Sequence, residues 1–94
     1  MIGLFLAGVA IALVAVAMLT FAALKKWFRK NTTVDGDNVR AVIQEAMANG
    51  NYKVIQCGFN RKLNKITAIK AYEAEDRDRE LIEKGPEAII HEEC

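Results

Sequence analysis

The chain has 94 residues, a formal net charge of +1 at pH 7 and 52% hydrophobic residues. Those hydrophobic residues are unevenly distributed, because 21 of the first 24 residues are apolar and all 25 charged residues follow from Lys25 onward. This distribution argues against a simple globular domain, since the remaining chain is too short to bury an uncharged apolar helix of that length.

The apolar segment 1–24 predicts a transmembrane helix. At about 1.5 Å per residue it would reach roughly 36 Å, which exceeds the hydrocarbon core of a bilayer, about 30 Å thick. A cleaved secretory signal is the alternative interpretation, since Ala15-Val16-Ala17 is a small-x-small triplet. The uncharged start and the length of the apolar stretch favour a retained anchor.

Basic and aromatic residues follow this segment, and no Lys or Arg precedes it. We expect six of them to lie at the membrane interface: Lys25, Lys26, Trp27, Phe28, Arg29 and Lys30. The positive-inside rule then places the N-terminus outside and the following domain in the cytoplasm. The sequence therefore predicts a single-pass protein of a bacterial inner (plasma) membrane, in contact with membrane lipid.

Small residues recur along the predicted helix at spacings of three or four. They allow two helices to approach closely in lipid, which indicates a lateral partner. The residues expected to form this packing surface are Gly3, Ala7, Gly8, Ala12 and Ala15. The segment has no ionisable side chain, which argues against an ion path or a proton relay.

A basic juxtamembrane segment and linker is expected over residues 25–36, and a small cytoplasmic α+β domain over residues 37–94. Within the domain, Val39, Val42, Ile43 and Met47 have helical spacing. Asp37 would cap this helix, and Asn49-Gly50 would end it.

A β-hairpin is expected next, because residues 52–59 are rich in β-branched and aromatic types and residues 65–73 resume that pattern. A helix over residues 66–84 is the alternative for the second strand. A short charged helix ending at Lys84-Gly85-Pro86 and a strand at 88–90 complete the prediction. The expected fold class is a single N-terminal transmembrane α-helix followed by a small α+β domain with helix, β-hairpin, short helix and strand.

The sequence predicts no catalytic, cofactor or metal site. It contains no serine, and its two cysteines, Cys57 and Cys94, have no Cys-x-x-Cys spacing. The single histidine, His91, lies beside Glu92, Glu93 and Cys94, a poorly preorganised arrangement for a metal. We therefore expect a protein that is not an enzyme.

Charge is divided between the two parts of the domain. Residues 25–70 contain ten basic and three acidic residues, whereas residues 71–94 contain three basic and nine acidic residues. A basic surface that could bind anionic lipid or an acidic protein is expected from Lys53, Arg61, Lys62, Lys65 and Lys70. Nucleic acid is an unlikely partner, and a surface that simply faces water is the plainest alternative.

The first functional hypothesis is a non-catalytic accessory or regulatory subunit that docks to a larger membrane complex through its helix and its cytoplasmic domain. The second hypothesis is a self-assembling structural subunit, either a homo-oligomer or a filament, with bundled apolar helices. The third is a membrane-tethered binder of anionic lipid or nucleic acid. The expected partners are thus membrane lipid and either an integral-membrane protein or further copies of the chain.

Overall fold

A five-stranded sheet with one long helix on one face forms the framework of residues 11–90, the part of the chain that the computed structural model describes. The strands lie in the order β1-β4-β3-β2-β5, with β1 parallel to β4 and every other neighbouring pair antiparallel. In chain order the elements are β1 (Leu13–Leu19), α1 (Phe21–Asn31), β2 (Asn38–Ala46), β3 (Tyr52–Asn60), β4 (Lys65–Arg77), α2 (Arg79–Ile82) and β5 (Glu87–Ile90).

The predicted transmembrane helix is wrong over the described residues. Leu13–Leu19 forms a strand, and a helix begins only at Phe21. The seven-residue apolar run Leu13–Leu19 is compatible with a strand as well as with a helix, and the β-branched Val14 and Val16 favour the strand. Thr20 separates the two elements, because its Oγ1 accepts a hydrogen bond from the Ala23 N–H at 3.1 Å and caps the helix.

Within residues 11–90, neither helix is long and apolar enough to cross a membrane. This finding contradicts the expected fold class of a transmembrane helix with a small α+β domain. It also contradicts the predicted single-pass location in an inner membrane, with the N-terminus outside and the domain in the cytoplasm.

The predicted helix after Asp37 is also wrong, because Asn38–Ala46 is the strand β2. Its apolar spacing arises because β2 lies inside the sheet and buries residues on both faces, including Ala41 and Val42. Asn49-Gly50 belongs to the hairpin turn that joins β2 to β3, where Gly50 adopts a φ of +90°. Asn-Gly is a common hairpin signal, so this pair ends a strand here.

The elements after β2 follow the predicted order of hairpin, short helix and strand. The hairpin is formed by β3 and β4, a short helix follows at α2, and β5 pairs with β2 at the far edge of the sheet. The second strand is longer than expected and extends to Arg77. The domain is therefore dominated by its sheet.

The helix α1 packs on the sheet through Phe21, Leu24 and Phe28, which are fully buried at positions one turn apart. Arg40 of β2 holds the C-terminal end of α1. Its Nε donates to Thr32 Oγ1 at 2.7 Å, and its Nη2 donates to the Phe28 and Thr32 carbonyls at 3.3 and 3.1 Å. A cation at this end also interacts favourably with the helix dipole.

Gln56 of β3 links the sheet to the middle of α1. Its Nε2 donates to the Leu24 carbonyl at 3.1 Å, and its Oε1 accepts a hydrogen bond from the Tyr72 hydroxyl. These bonds satisfy a fully buried amide and hold α1 over β3 and β4. With α1 in this position, four of the seven residues of β1 remain exposed.

Candidate functional site

The predicted membrane-interface residues lie in α1. Phe28 is buried against the sheet, and Trp27 packs edge-on to it with ring centroids 5.7 Å apart. Lys25 places its Nζ 5.5 Å from the centroid of the Phe21 ring. Lys26, Arg29 and Lys30 are exposed. The group therefore forms one amphipathic helix, with aromatic rings on the sheet and cations toward solvent.

The strand β1 lies at one edge of the sheet. Among the described strands it pairs with β4 alone, so its other edge has no partner in residues 11–90. Its seven residues are all uncharged and apolar, and four of them are exposed. Val14 and Met18 are 45% and 52% exposed on the face that carries α1. An exposed apolar edge without Lys or Pro is a surface to which another strand can be added.

A groove of about 350 Å³ lies between α1 and β1. Val16, Met18 and Leu19 provide apolar surface from β1, and Ala23 and Trp27 contribute from α1. Its charged residues are Lys26, Lys30 and Lys70. The Nζ of Lys70 lies 5.3 Å from the centroid of the Tyr72 ring, which also lines the groove.

The residues of the predicted basic surface lie in three places. Arg61 and Lys62 are in the turn between β3 and β4, and Lys65 begins β4. Lys53 lies at the opposite end of β3, where its Nζ is 3.7 Å from a carboxylate oxygen of Glu45. Lys70 is separate from both and lines the groove. The fold thus brings Lys70 together with Lys26, Trp27 and Lys30.

The predicted helix-packing residues fall in or before β1. Ala12 precedes the strand, and Ala15 lies within it as an exposed residue opposite Glu73 of β4. Gly3, Ala7 and Gly8 lie outside the described residues. Because Ala12 and Ala15 are not helical, they do not form a helix-packing stripe.

A second cavity of about 290 Å³ lies where β2 meets the α2–β5 connection. The Arg77 guanidinium carbon is 3.8 Å from the centroid of the Tyr52 ring, and Arg77 Nη1 donates to Gln44 Oε1 at 2.9 Å. Arg77 Nε is buried and has no hydrogen-bond partner among residues 11–90. Stacking and one hydrogen bond therefore hold this cation at the C-terminal end of β4.

Cys57 is the one cysteine among residues 11–90. Cys57 is fully buried in β3, and desolvation by burial raises the pKa of its thiol to about 11. The thiol is therefore neutral near pH 7 and is a poor nucleophile. Within residues 11–90, no three His, Cys, Asp or Glu side chains are grouped so that they could hold a metal. His91, Glu92, Glu93 and Cys94, the residues considered for a metal, lie outside that range.

The surfaces that β1 contributes were missed from sequence because Val14, Val16 and Met18 fall in the segment 1–24, which was interpreted as a transmembrane helix. Their alternation with Ala15 and Ala17 was the available signal, since alternate residues of a strand point to opposite faces. No family model matches the chain, and the comparisons with curated proteins and with solved structures gave no match either.

Proposed function

We propose that this chain is a non-catalytic, self-assembling subunit in which β1 pairs with β1 of a second copy. The observation that carries the proposal is the uncharged, exposed edge strand Leu13–Leu19. Proteins that remain monomeric usually protect such an edge with charges, proline or a bulge. The second hypothesis from sequence was a homo-oligomer or filament with bundled apolar helices. We keep the homo-oligomer, with β1 as its interface in place of the bundled helices.

The sequence of β1 is almost the same when it is followed in either direction from Val16. In an antiparallel pair centred on Val16, Leu13 would face the partner's Leu19, and Val14 would face the partner's Met18. Ala15 would face the partner's Ala17. A two-fold interface needs a surface that is complementary to itself, and this order of side-chain sizes supplies one.

Such pairing would join two five-stranded sheets into one sheet of ten strands. Cross-strand neighbours point to the same face, so α1 of both copies would lie on one side of the sheet. Val14 and Met18 of each copy would then pack between the two helices and lose exposed apolar surface. Because β1 is used on both sides of the two-fold axis, the assembly closes as a dimer.

The first test is sedimentation velocity of the full chain over a series of concentrations. We expect a concentration-dependent dimer. The double substitution Ala15→Lys/Ala17→Lys should give a monomer, because lysines would face each other across the axis. The matched control is Ala48→Lys, which places a lysine in the exposed β2–β3 turn and should leave the dimer intact. A native chain that stays monomeric at all concentrations would overturn the proposal.

A charge exchange tests the register. The double substitution Ala15→Glu/Ala17→Glu should also give a monomer, whereas an equimolar mixture with the double-lysine variant should form a heterodimer. Opposite charges directly across a strand pair stabilise it by about 0.2–1 kcal/mol each, and like charges destabilise it. A mixture that remains monomeric would exclude the register centred on Val16.

A further inference from the structure

The groove between α1 and β1 has the two properties required to hold an amphiphile. Its floor is apolar, with Val16 and Met18 from β1, and Trp27 forms part of its wall. Its charged residues are all cations from α1 and β4: Lys26, Lys30 and Lys70. We propose that this groove binds a single-chain fatty carboxylate, with the carboxylate at the lysines and the chain along Val16 and Met18 against Trp27.

The charges of the groove favour an anion. No acidic side chain is among the described residues that line it. Over residues 11–90, the one ion pair joins Lys53 to Glu45, so the groove lysines have no carboxylate partner there. A cleft lined by charges of one sign concentrates ions of the opposite sign. A bound carboxylate would reduce the repulsion among the three lysines. A phosphate or acetate ion would satisfy the lysines but would leave the apolar floor exposed.

The apolar surfaces favour a chain attached to that anion. Met18 is 52% exposed, and it lines the groove together with Ala23 and Trp27 of α1. Met side chains adapt to irregular apolar ligands, and the ring of Trp27 provides a flat apolar wall. The volume of about 350 Å³ is at the lower end of the roughly 300–1,000 Å³ typical of ligand sites. A single slender chain therefore suits the groove better than a bulky or branched ligand.

Trp27 is the chain's single tryptophan, so its fluorescence reports directly on the groove. We expect dodecanoate, titrated into the full chain below its micelle concentration, to shift the Trp27 emission to shorter wavelength and to saturate. Dodecanol and acetate, which each retain one half of the amphiphile, should bind at least about tenfold more weakly, because each loses one set of contacts.

Substitutions separate the proposed site from general basic character. Lys70→Gln and Lys30→Gln should each raise the dissociation constant of dodecanoate by about tenfold, as expected for losing one charge-assisted contact. The matched control is Lys62→Gln in the β3–β4 turn, which should have no effect. Circular dichroism of each variant would confirm that the fold is retained.

Three results would overturn the proposal: equal responses to dodecanoate and dodecanol, equal effects of Lys70→Gln and Lys62→Gln, or a response to phosphatidylglycerol vesicles alone. One copy supplies every residue of the groove, so a monomer should bind dodecanoate. Because the β1–β1 dimer would cover Met18, the titration is made on the Ala15→Lys/Ala17→Lys variant as well as on the native chain. Fluorescence tests the ligand and sedimentation tests the dimer, so failure of one does not decide the other.

Discussion

Arg77 of β4 and Gln44 of β2 are joined by a hydrogen bond of 2.9 Å across the intervening strand β3. The same glutamine uses its Nε2 to donate to the Leu81 carbonyl at 2.8 Å and to the Gly85 carbonyl at 3.0 Å. One buried side chain thus satisfies the end of α2 and the turn before β5, and it orients the Arg77 guanidinium over Tyr52.

The first prediction concerns this glutamine. Gln44→Leu removes the donor to the Leu81 and Gly85 carbonyls and the acceptor for Arg77. The substitution puts an apolar side chain of similar size in the same position. We expect a loss of about 2–4 kcal/mol in the free energy of unfolding, because unsatisfied buried polar groups keep their desolvation penalty. Urea unfolding would show a lower midpoint with little change in slope.

The control for Gln44→Leu is Glu45→Gln, a substitution at the next residue of β2, whose side chain is exposed. Among residues 11–90 its one ion pair is the 3.7 Å contact with Lys53, so we expect a change within about 0.5 kcal/mol. Equal unfolding midpoints for the two variants would contradict the role assigned to Gln44.

Part of this architecture could be predicted from sequence and part could not. The β3–β4 hairpin and the short α2 follow from local patterns, because β-branched residues, Asn-rich turns and the Gly85-Pro86 stop act over a few residues. The strand β1 has only a weak local signal, the alternation of Val14 and Val16 with alanines, within a longer apolar segment that is typical of a transmembrane helix. Its assignment depends on pairing with Ala71 and its neighbours in β4, which are distant in sequence.

The residues of the groove could also be predicted only in part from sequence. Lys26, Trp27 and Lys30 could be grouped from sequence, since they lie on consecutive turns of one helix. Lys70 joins them because β1 pairs in parallel with β4 beneath the edge of α1. No local pattern indicates that pairing.

The second prediction concerns the close approach at Gly58 of β3. A Cβ at this position would lie 2.7 Å from Thr67 Oγ1 and 2.8 Å from Thr32 Cγ2. Gly58→Ala should therefore lower the free energy of unfolding by about 1–3 kcal/mol, the range for overpacking a buried site. Urea unfolding again provides the measurement.

A double-mutant cycle identifies the cause. Thr32→Ser removes the Cγ2 methyl group but keeps the Oγ1 that accepts from Arg40. The pair Gly58→Ala/Thr32→Ser should therefore lose less stability than the sum of the two single variants. Strict additivity would show that the methyl group is not the obstacle.

The third prediction concerns acid. Hydrogen bonds from Asn51 Nδ2 at 2.7 Å and Asn49 Nδ2 at 2.9 Å lower the pKa of Glu73 below its usual value, because both stabilise the carboxylate. A folded pKa below the unfolded one contributes stability above the unfolded pKa. That contribution is lost as the pH falls through the folded value.

Carbon-detected NMR of the Glu73 carboxylate would measure this shift. Asn51→Ala and Asn49→Ala should each move the pKa upward, with the larger effect from Asn51, whereas Asn31→Ala on α1 should leave it unchanged. A Glu73 pKa that is the same in all three variants would show that the turn amides do not hold the carboxylate.

The fourth prediction concerns alkali and thiol reagents. Burial raises the pKa of Cys57 to about 11, so the folded state holds this proton more tightly than the unfolded state does. The resulting stability is complete below the unfolded pKa and is lost as the pH rises toward about 11. At pH 8 the folded protein therefore presents a neutral, enclosed thiol.

A Cys94→Ser variant leaves Cys57 as the only thiol, and its reaction with a disulfide reagent at pH 8 can then be timed. We expect reaction only through opening of the sheet, so the rate should rise steeply with urea. The reference is the same variant with Cys57→Ala and Ala48→Cys, which presents a thiol in the exposed β2–β3 turn and should react at once. If Cys57 in the native protein reacted as fast as that exposed thiol, β3 would have to be open to solvent, because a neutral enclosed sulfur cannot attack the reagent.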